Sequence, residues 1–101
     1  MRLRMKVDTS AIDKALKEFE DERKETLERV GQQAVAYAVE NGEYHDVTGR
    51  LRRSNGYKVT DKGLTIYNTA PYAEEVQNRG LDVIGGAALF ARYELEKQAR
   101  K

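Results

Sequence analysis

The sequence predicts an α+β fold, in which a small, mostly antiparallel sheet is packed by a long N-terminal helix and a C-terminal helix. Apolar and charged residues alternate over residues 1–7, and the alternation returns on both sides of residues 61–63. Such a period of two is typical of half-buried strands. Over residues 11–40, apolar residues recur at helical spacing. Strands and helices that are not regularly interleaved favour a sheet with helices on one face.

The first strand is predicted over residues 1–7. Leu3, Met5 and Val7 share one face, and arginine and lysine occupy the other. We expect this strand to lie beside the central hairpin. Its basic face is open to two interpretations, contact with DNA or an acidic partner, or a solvated face whose charges discourage edge-to-edge pairing, and we favour the second.

A long helix is predicted over residues 11–40, introduced by a capping box of Ser10 and Asp13. At ~1.5 Å per residue this helix would be roughly 45 Å long. A compact chain of this size is only about 35 Å across. The helix is therefore expected to bend, break or protrude, either at the charged run of residues 20–25 or at Gly31, since glycine costs about 1 kcal/mol relative to alanine within a helix.

The central hairpin is the clearest element of the sequence. Residues 61–63 are predicted to form a three-residue turn with a bulge, because Gly63 can adopt the left-handed conformation that closes it. The alternating apolar residues of its two strands are Tyr57, Val59, Leu64 and Ile66. This pattern predicts structure and carries no chemistry.

Short helices are predicted on both sides of the hairpin. Upstream, Thr48 is the expected N-cap of a turn that begins at Gly49, with Leu51 facing the core. Three arginines of this turn are predicted to face outward: Arg50, Arg52 and Arg53. Downstream, Pro71 is expected to open a helix that Gly80 ends. The apolar residues at helical spacing in this helix are Tyr72, Ala73 and Val76.

The last predicted helix follows a segment over residues 81–84 that is either a short strand or extended chain. Gly85 and Gly86 are interpreted as a flexible joint rather than a phosphate cradle, because the sequence lacks a P-loop lysine. The approximate apolar face of the helix comprises Ala88, Phe90 or Ala91, Tyr93, Leu95 and Ala99.

The two motifs that flank the hairpin occur in a recognisable order, T-G-x-L-R-x-S and then P-Y-A-x-x-V-x-x-x-G, followed by an amphipathic helix. This order resembles the small phage and prophage tail-component family, which includes head–tail connector, tail-completion and minor tail proteins. The matching residues are Thr48, Gly49, Leu51, Arg52, Ser54, Pro71, Tyr72, Ala73, Val76 and Gly80, and more loosely Leu89 and Phe90.

The resemblance implies a structural protein that self-assembles, as a ring, and docks to other phage head or tail proteins. It implies a virion protein assembled in the host bacterial cytoplasm, with no enzymatic activity and no cofactor. The candidate contact surfaces are residues 48–58 and 80–86, in particular Arg50, Arg53, Lys58, Leu81 and Asp82. Within the first, replacing Leu51 is expected to unfold the protein, whereas Arg52→Glu is expected to spare the fold and impair assembly.

The alternative is a small nucleic-acid-binding regulator that uses the basic patch of residues 50–58 together with Tyr57. DNA contact through phosphates would not be sequence-specific and would weaken steeply with salt. The same patch could instead be a solvated rim, or it could contact the acidic run of residues 18–25 in another subunit. We favour both of these interpretations over sequence-specific binding.

Composition limits the remaining possibilities. The 101 residues predict a single domain over residues 1–101. Eighteen basic residues against 17 acidic ones argue against a strongly basic nucleic-acid binder. The absence of cysteine excludes disulfides and thiolate chemistry, and no apolar run is long enough for a membrane span. Glu43, His45 and Asp46 lack an established metal-binding spacing, so we predict no metal site. The sequence shows no nucleophile paired with a base and no paired carboxylates, so we predict no catalytic residues and no small-molecule substrate.

Overall fold

The computed structural model describes residues 3–42 and 50–100, the side chain of Arg50 excepted, and it has the predicted α+β architecture. Its sheet has three antiparallel strands, β1 (Leu3–Lys6), β2 (Asn55–Thr60) and β3 (Gly63–Asn68). The order in the sheet is β1-β3-β2, so the N-terminal strand lies beside the hairpin as predicted.

Five helices occur in the described ranges: α1 (Ser10–Ala15), α2 (Glu20–Asn41), α3 (Arg50–Arg53), α4 (Ala73–Asn78) and α5 (Gly85–Ala99). Helix α2 packs on β2 and β3, and α5 packs against α1, α2 and β1. The core between the sheet and these helices includes Leu27, Val30, Leu64, Ile66 and Leu95, all fully buried. None of the helices in the described ranges has the length and apolar character that a bilayer span requires.

The register of the sheet sends its alternating residues to opposite faces. Ile66 of the central strand pairs with Met5 on one side and with Tyr57 on the other, and this row faces the helices. At the hairpin tip, Thr60 pairs with Gly63, so the loop has two residues and the predicted three-residue turn was wrong. The predicted positive φ of Gly63 is confirmed at +133°.

The predicted long helix is two helices, because α1 ends at Ala15 and α2 begins at Glu20. The break precedes the charged run of residues 20–25, and α2 continues through both that run and Gly31, so both predicted break positions were wrong. The run begins with three carboxylates in the first turn of α2, where the positive end of the helix dipole favours negative charge. It therefore starts a helix instead of interrupting one.

The start of α1 also differs from the predicted capping box. Thr9 precedes the helix, and its hydroxyl donates to Asp13 Oδ2 at 2.8 Å. Asp8 Oδ1 accepts from both the hydroxyl and the backbone N–H of Ser10, at 2.7 and 3.0 Å. These hydrogen bonds lower the pKa of the Asp8 carboxyl. Asp13 forms an ion pair with Arg23 of α2, whose Nε lies 2.7 Å from Asp13 Oδ1.

The C-terminal segment contains no strand at residues 81–84. Gly85 and Gly86 form the first turn of α5 and are not a joint before it. Asp82 favours the start of α5 at these glycines, because its two carboxylate oxygens accept from the Gly86 N–H at 3.0 and 3.1 Å. Such a bond satisfies a backbone donor that has no partner within the helix.

Helix α5 buries Ala87, Ala91 and Leu95. The prediction that Tyr93 belongs to this face was wrong, because its side chain is 57% exposed. Phe90 packs at the edge of the core, where its ring stacks on Tyr37 with centroids 4.8 Å apart.

Candidate interaction surface

The two family-like motifs are joined by Asn68, a fully buried residue at the end of β3. Its Nδ2 donates to the Leu51 carbonyl at 2.7 Å, and its Oδ1 accepts from the Ala70 N–H at 2.9 Å. One side chain thus connects the segment of the first motif to the segment that begins the second. Asn68 was not predicted from the sequence, although it continues the buried alternation of Leu64 and Ile66. A polar residue at such a position needs hydrogen-bond partners.

Further hydrogen bonds reinforce this junction. Asn68 Nδ2 also donates to Asn55 Oδ1 at 2.9 Å, and the Thr69 N–H donates to the Ser54 carbonyl at 3.0 Å. The backbone of Ser54 therefore takes part in joining the motifs. Thr48 and Gly49 lie outside the described residues.

The remaining motif residues serve the fold. Leu51 and Ala73 are buried, as predicted for Leu51 and for the apolar face of α4. Tyr72 and Val76 pack partly against the core. Gly80 follows the end of α4 with φ of +90°, which confirms its predicted role in ending this helix.

Pro71 is exposed and stands two positions before the first residue of α4, so it does not occupy the first helical position as predicted. Tyr72 lies between them as the residue that caps the helix, and the Ala73 N–H donates to the Ala70 carbonyl at 3.1 Å. A turn thus connects the sheet to α4, and the helix begins only after it.

Arg52 does not face outward as predicted. Its side chain is half-buried, and its guanidinium donates to the carbonyl of Val39 in the last turn of α2. The last carbonyls of a helix have no partner within it, and the helix dipole places negative charge there. Arg52 therefore connects α3 to the end of α2, a structural contact that the sequence did not indicate.

We expect Arg52→Glu to lower the free energy of unfolding by about 1 kcal/mol, because it removes a charge-assisted hydrogen bond and sets a carboxylate against helix carbonyls. This replaces the expectation that the variant spares the fold. Lys62→Glu makes the same charge change at an exposed residue of the hairpin turn, and it should change stability by less than about 0.5 kcal/mol. Urea unfolding followed by circular dichroism compares them, and equal midpoints for the two variants would contradict the structural role of Arg52.

The predicted basic patch is not one surface. Tyr57 faces α2, where its hydroxyl donates to Glu28 Oε2 at 2.9 Å, and this hydrogen bond raises the pKa of the Tyr57 phenol. Lys58, the next residue of the strand, is exposed on the opposite face of the sheet. Arg52 contacts the end of α2. Among the described side chains of the basic patch, those of Arg53 and Lys58 are exposed.

Side-chain hydrogen bonds hold the segment of residues 80–86, which includes the first turn of α5. Besides the bonds from Asp82, Gln77 Oε1 accepts from the N–H groups of Val83 and Ile84 at 2.9 and 3.2 Å. Leu81 and Asp82, both predicted as contact residues, are half-buried. The carboxylate of Asp82 is engaged in starting α5, so this loop offers less free surface than expected.

The face of the sheet that points away from the helices is a surface with charge of one sign. We call it the open sheet face, and it consists of Arg4, Lys6, Gly56, Lys58, Thr60, Thr65 and Tyr67. Its strand positions carry three cations and no carboxylate. Within the described residues, these cations form no ion pair.

Tyr67 lies across this face. A Cβ added to Gly56 would lie 2.5 Å from both Cζ and Oη of the Tyr67 ring, so the ring covers Gly56 of the neighbouring strand. Gly56 and Arg4 are its two partners in the ladder. The open sheet face thus has a flat aromatic ring beside a basic side chain.

Comparison with known proteins adds no relative to this picture. The chain matches no protein-family model, and neither a curated protein nor a solved structure is significantly similar to it. What can be said of its function therefore rests on its own sequence and geometry.

No metal site is found in the described part of the chain, because no three potential ligands cluster there. The predicted solvated loop with Glu43, His45 and Asp46 lies outside the described residues.

An open groove runs between the turn that connects α1 to α2 and the tip of the hairpin, lined by charged side chains that include Asp13, Lys24 and Asp61.

Proposed function

We propose that this chain is a structural phage or prophage morphogenesis protein of the head–tail connector or tail-completion type. It acts by self-assembly into a ring and by docking to neighbouring head or tail proteins, in virions assembled in the bacterial cytoplasm. The motif order T-G-x-L-R-x-S, hairpin, P-Y-A-x-x-V-x-x-x-G supports this proposal. Together with the N-terminal strand, the long helical region and the final amphipathic helix, the pattern covers nearly the whole chain.

The single observation that carries the proposal is the open sheet face. Within the described residues, helices pack on only one face of this three-stranded sheet. A chain of 101 residues has a small core, so burying the second face against a neighbour would add stability that the monomer lacks. A contact between two different surfaces of identical subunits can repeat around a closed ring.

The second candidate is a small nucleic-acid-binding regulator acting through residues 50–58. Two of its supporting residues are engaged elsewhere, because Arg52 contacts the end of α2 and Tyr57 contacts Glu28. The exposed Arg53 and Lys58 are the observation that favours it. Non-specific DNA contact remains compatible with either candidate, since both leave cations exposed.

Light scattering across a concentration series, with negative-stain imaging of the heaviest species, tests the first proposal. We expect a discrete oligomer that grows in population with concentration and images as closed rings. A strict monomer at every concentration would contradict self-assembly. A mobility shift on arbitrary DNA at near-physiological salt, shown by that monomer, would favour the nucleic-acid candidate instead.

A further inference from the structure

The turn between α1 and α2 and the beginning of α2 form a second charged surface, which we call the acidic corner, residues 18–25. Its five carboxylates are all exposed, and with two cations they give a net charge of −3. The carboxylates are those of Glu18, Glu20, Asp21, Glu22 and Glu25. Within the described residues none of them forms an ion pair.

Phe19 lies among the carboxylates of this acidic corner and is 55% exposed. Its flanking residues Glu18 and Glu20 are exposed as well. A large aromatic ring that is left in water gains about 1.5–3 kcal/mol when it is fully buried. The acidic corner therefore combines negative charge with an aromatic side chain that remains exposed after a single chain has folded.

The open sheet face has the complementary properties. Arg4, Lys6 and Lys58 supply positive charge, and Tyr67 supplies a flat ring that Gly56 allows to lie close to the sheet. Aromatic rings attract each other in offset or edge-to-face arrangements beyond the effect of burial, by about 0.5–1.5 kcal/mol. Charge and aromatic content thus match between two separate surfaces of the same chain.

We infer that the open sheet face binds the acidic corner of a second copy of this chain, with Phe19 of one copy against Tyr67 of the next. The inference rests on the proposed self-assembly and names the surfaces that would carry it. Because the two surfaces differ, each copy can use both at once, and the contact repeats around a ring or along a filament.

A second copy fits the observations better than a nucleic acid does. Phosphates would pair with Arg4, Lys6 and Lys58, but they would be repelled by the acidic corner and leave Phe19 exposed. The chain as a whole carries a net charge of only +1, so long-range attraction of a polyanion is weak. One contact between two copies pairs the open sheet face of one copy with the acidic corner of the other, so it neutralises both charges and buries Phe19.

Charge reversal on each surface, alone and combined, tests this inference. The face variant is Lys6→Glu with Lys58→Glu, and the corner variant is Glu18→Lys with Glu22→Lys. We expect each variant to weaken self-association by at least about tenfold, because like charges then face each other across the contact. The combined variant restores opposite charges, and we expect it to recover association to within about threefold of the parent.

Two controls accompany these variants. Lys97→Glu with Arg100→Glu makes the same change in net charge as the face variant at the C-terminal end of α5, and we expect it to associate like the parent. Phe19→Ser keeps every charge and removes the exposed ring. It should weaken association without lowering the unfolding midpoint of the monomer, measured at concentrations too low for association. This variant keeps the inference testable even if a charge-reversed variant fails to fold, which circular dichroism would reveal.

The outcomes separate the inference from the proposed function. A parent chain that assembles, with the face, corner and Phe19 variants assembling equally well, would overturn the inference and leave self-assembly intact. A parent chain that never assembles would overturn both. If the face variant abolished binding of a fluorescent oligonucleotide and the combined variant assembled no better than the single ones, a nucleic acid would be the occupant of the open sheet face.

Discussion

Replacing Asn68 with alanine is expected to lower the free energy of unfolding by about 2–3 kcal/mol, because the buried Ala70 N–H loses its partner and the hydrogen bond to the Leu51 carbonyl is lost. The Leu51 carbonyl and the Ala70 N–H both bond to this side chain, at 2.7 and 2.9 Å. A backbone N–H left unsatisfied in the core costs about 1–3 kcal/mol. The Leu51 carbonyl keeps the N–H of Ser54, which donates to it at 3.3 Å, so its loss is the smaller one. The measurement is urea unfolding of parent and variant, followed by circular dichroism.

Thr69→Ala is the matched control for this prediction. Thr69 is exposed, and the bond that its backbone N–H donates to Ser54 survives the substitution. We expect a change of less than about 0.5 kcal/mol for this neighbouring residue. Hydrogen exchange adds a local readout, since the Ala70 amide should lose protection in Asn68→Ala. Equal unfolding midpoints for Asn68→Ala and Thr69→Ala would show that Asn68 does not join the two motifs.

The strands were predictable from sequence because their signal is local. Leu3 and Met5 alternate with exposed basic residues, and Leu64 and Ile66 alternate with the half-buried Thr65 and Tyr67. A strand sends alternate side chains to opposite faces whatever its partners are. The α+β class follows once these strands are separated by helical patterns. The fold class was therefore available without any knowledge of long-range contacts.

The break between α1 and α2 was not predictable in the same way. The chain turns between Ala15 and Glu20, and the ion pair of Asp13 with Arg23 spans this turn at 2.7 Å. Such a pair exists only after the chain has turned, so no local pattern records it. The charged run that follows was interpreted as an interruption, although its carboxylates favour the start of a helix.

The candidate surface was only partly predictable, for a reason that Tyr57 and Lys58 illustrate. Adjacent in sequence, they lie on opposite faces of the sheet, so a patch counted along the chain is divided by the fold. Lys58 instead joins Arg4 and Lys6, which are more than fifty positions away in sequence. Only the register of the three strands brings these cations onto one face.

Gly31→Ala is expected to destabilise the protein by about 2 kcal/mol, although alanine normally gains about 1 kcal/mol over glycine within a helix. A Cβ at Gly31 would lie 2.4 Å from Cδ2 and 2.8 Å from Cγ of Tyr57. The ring cannot move aside, because its strand is paired to Ile66 and its hydroxyl is bonded to Glu28. Unfolding in urea measures the effect.

Gly56→Ala is the control, since its Cβ would meet a tyrosine ring at a similarly short distance of 2.5 Å. Here the nearest atoms are at the tip of the Tyr67 ring, on the open sheet face, where the side chain can rotate into solvent. We therefore expect a change of less than about 1 kcal/mol. The two substitutions therefore compare a clash with the part of the Tyr57 ring nearest the backbone, which is held in place, and a clash with the mobile tip of the Tyr67 ring.

A double-mutant cycle decides whether the Tyr57 ring is the cause. Tyr57→Leu is destabilising by itself, because it removes the hydrogen bond to Glu28 and part of the packing against α2. In that background the Gly31→Ala substitution should become neutral or stabilising, since the ring that obstructs the Cβ is gone. The expected coupling between the two positions is about 2–3 kcal/mol. If alanine at position 31 stabilised the parent protein as helix propensity alone predicts, the close packing of α2 on β2 at this glycine would be refuted.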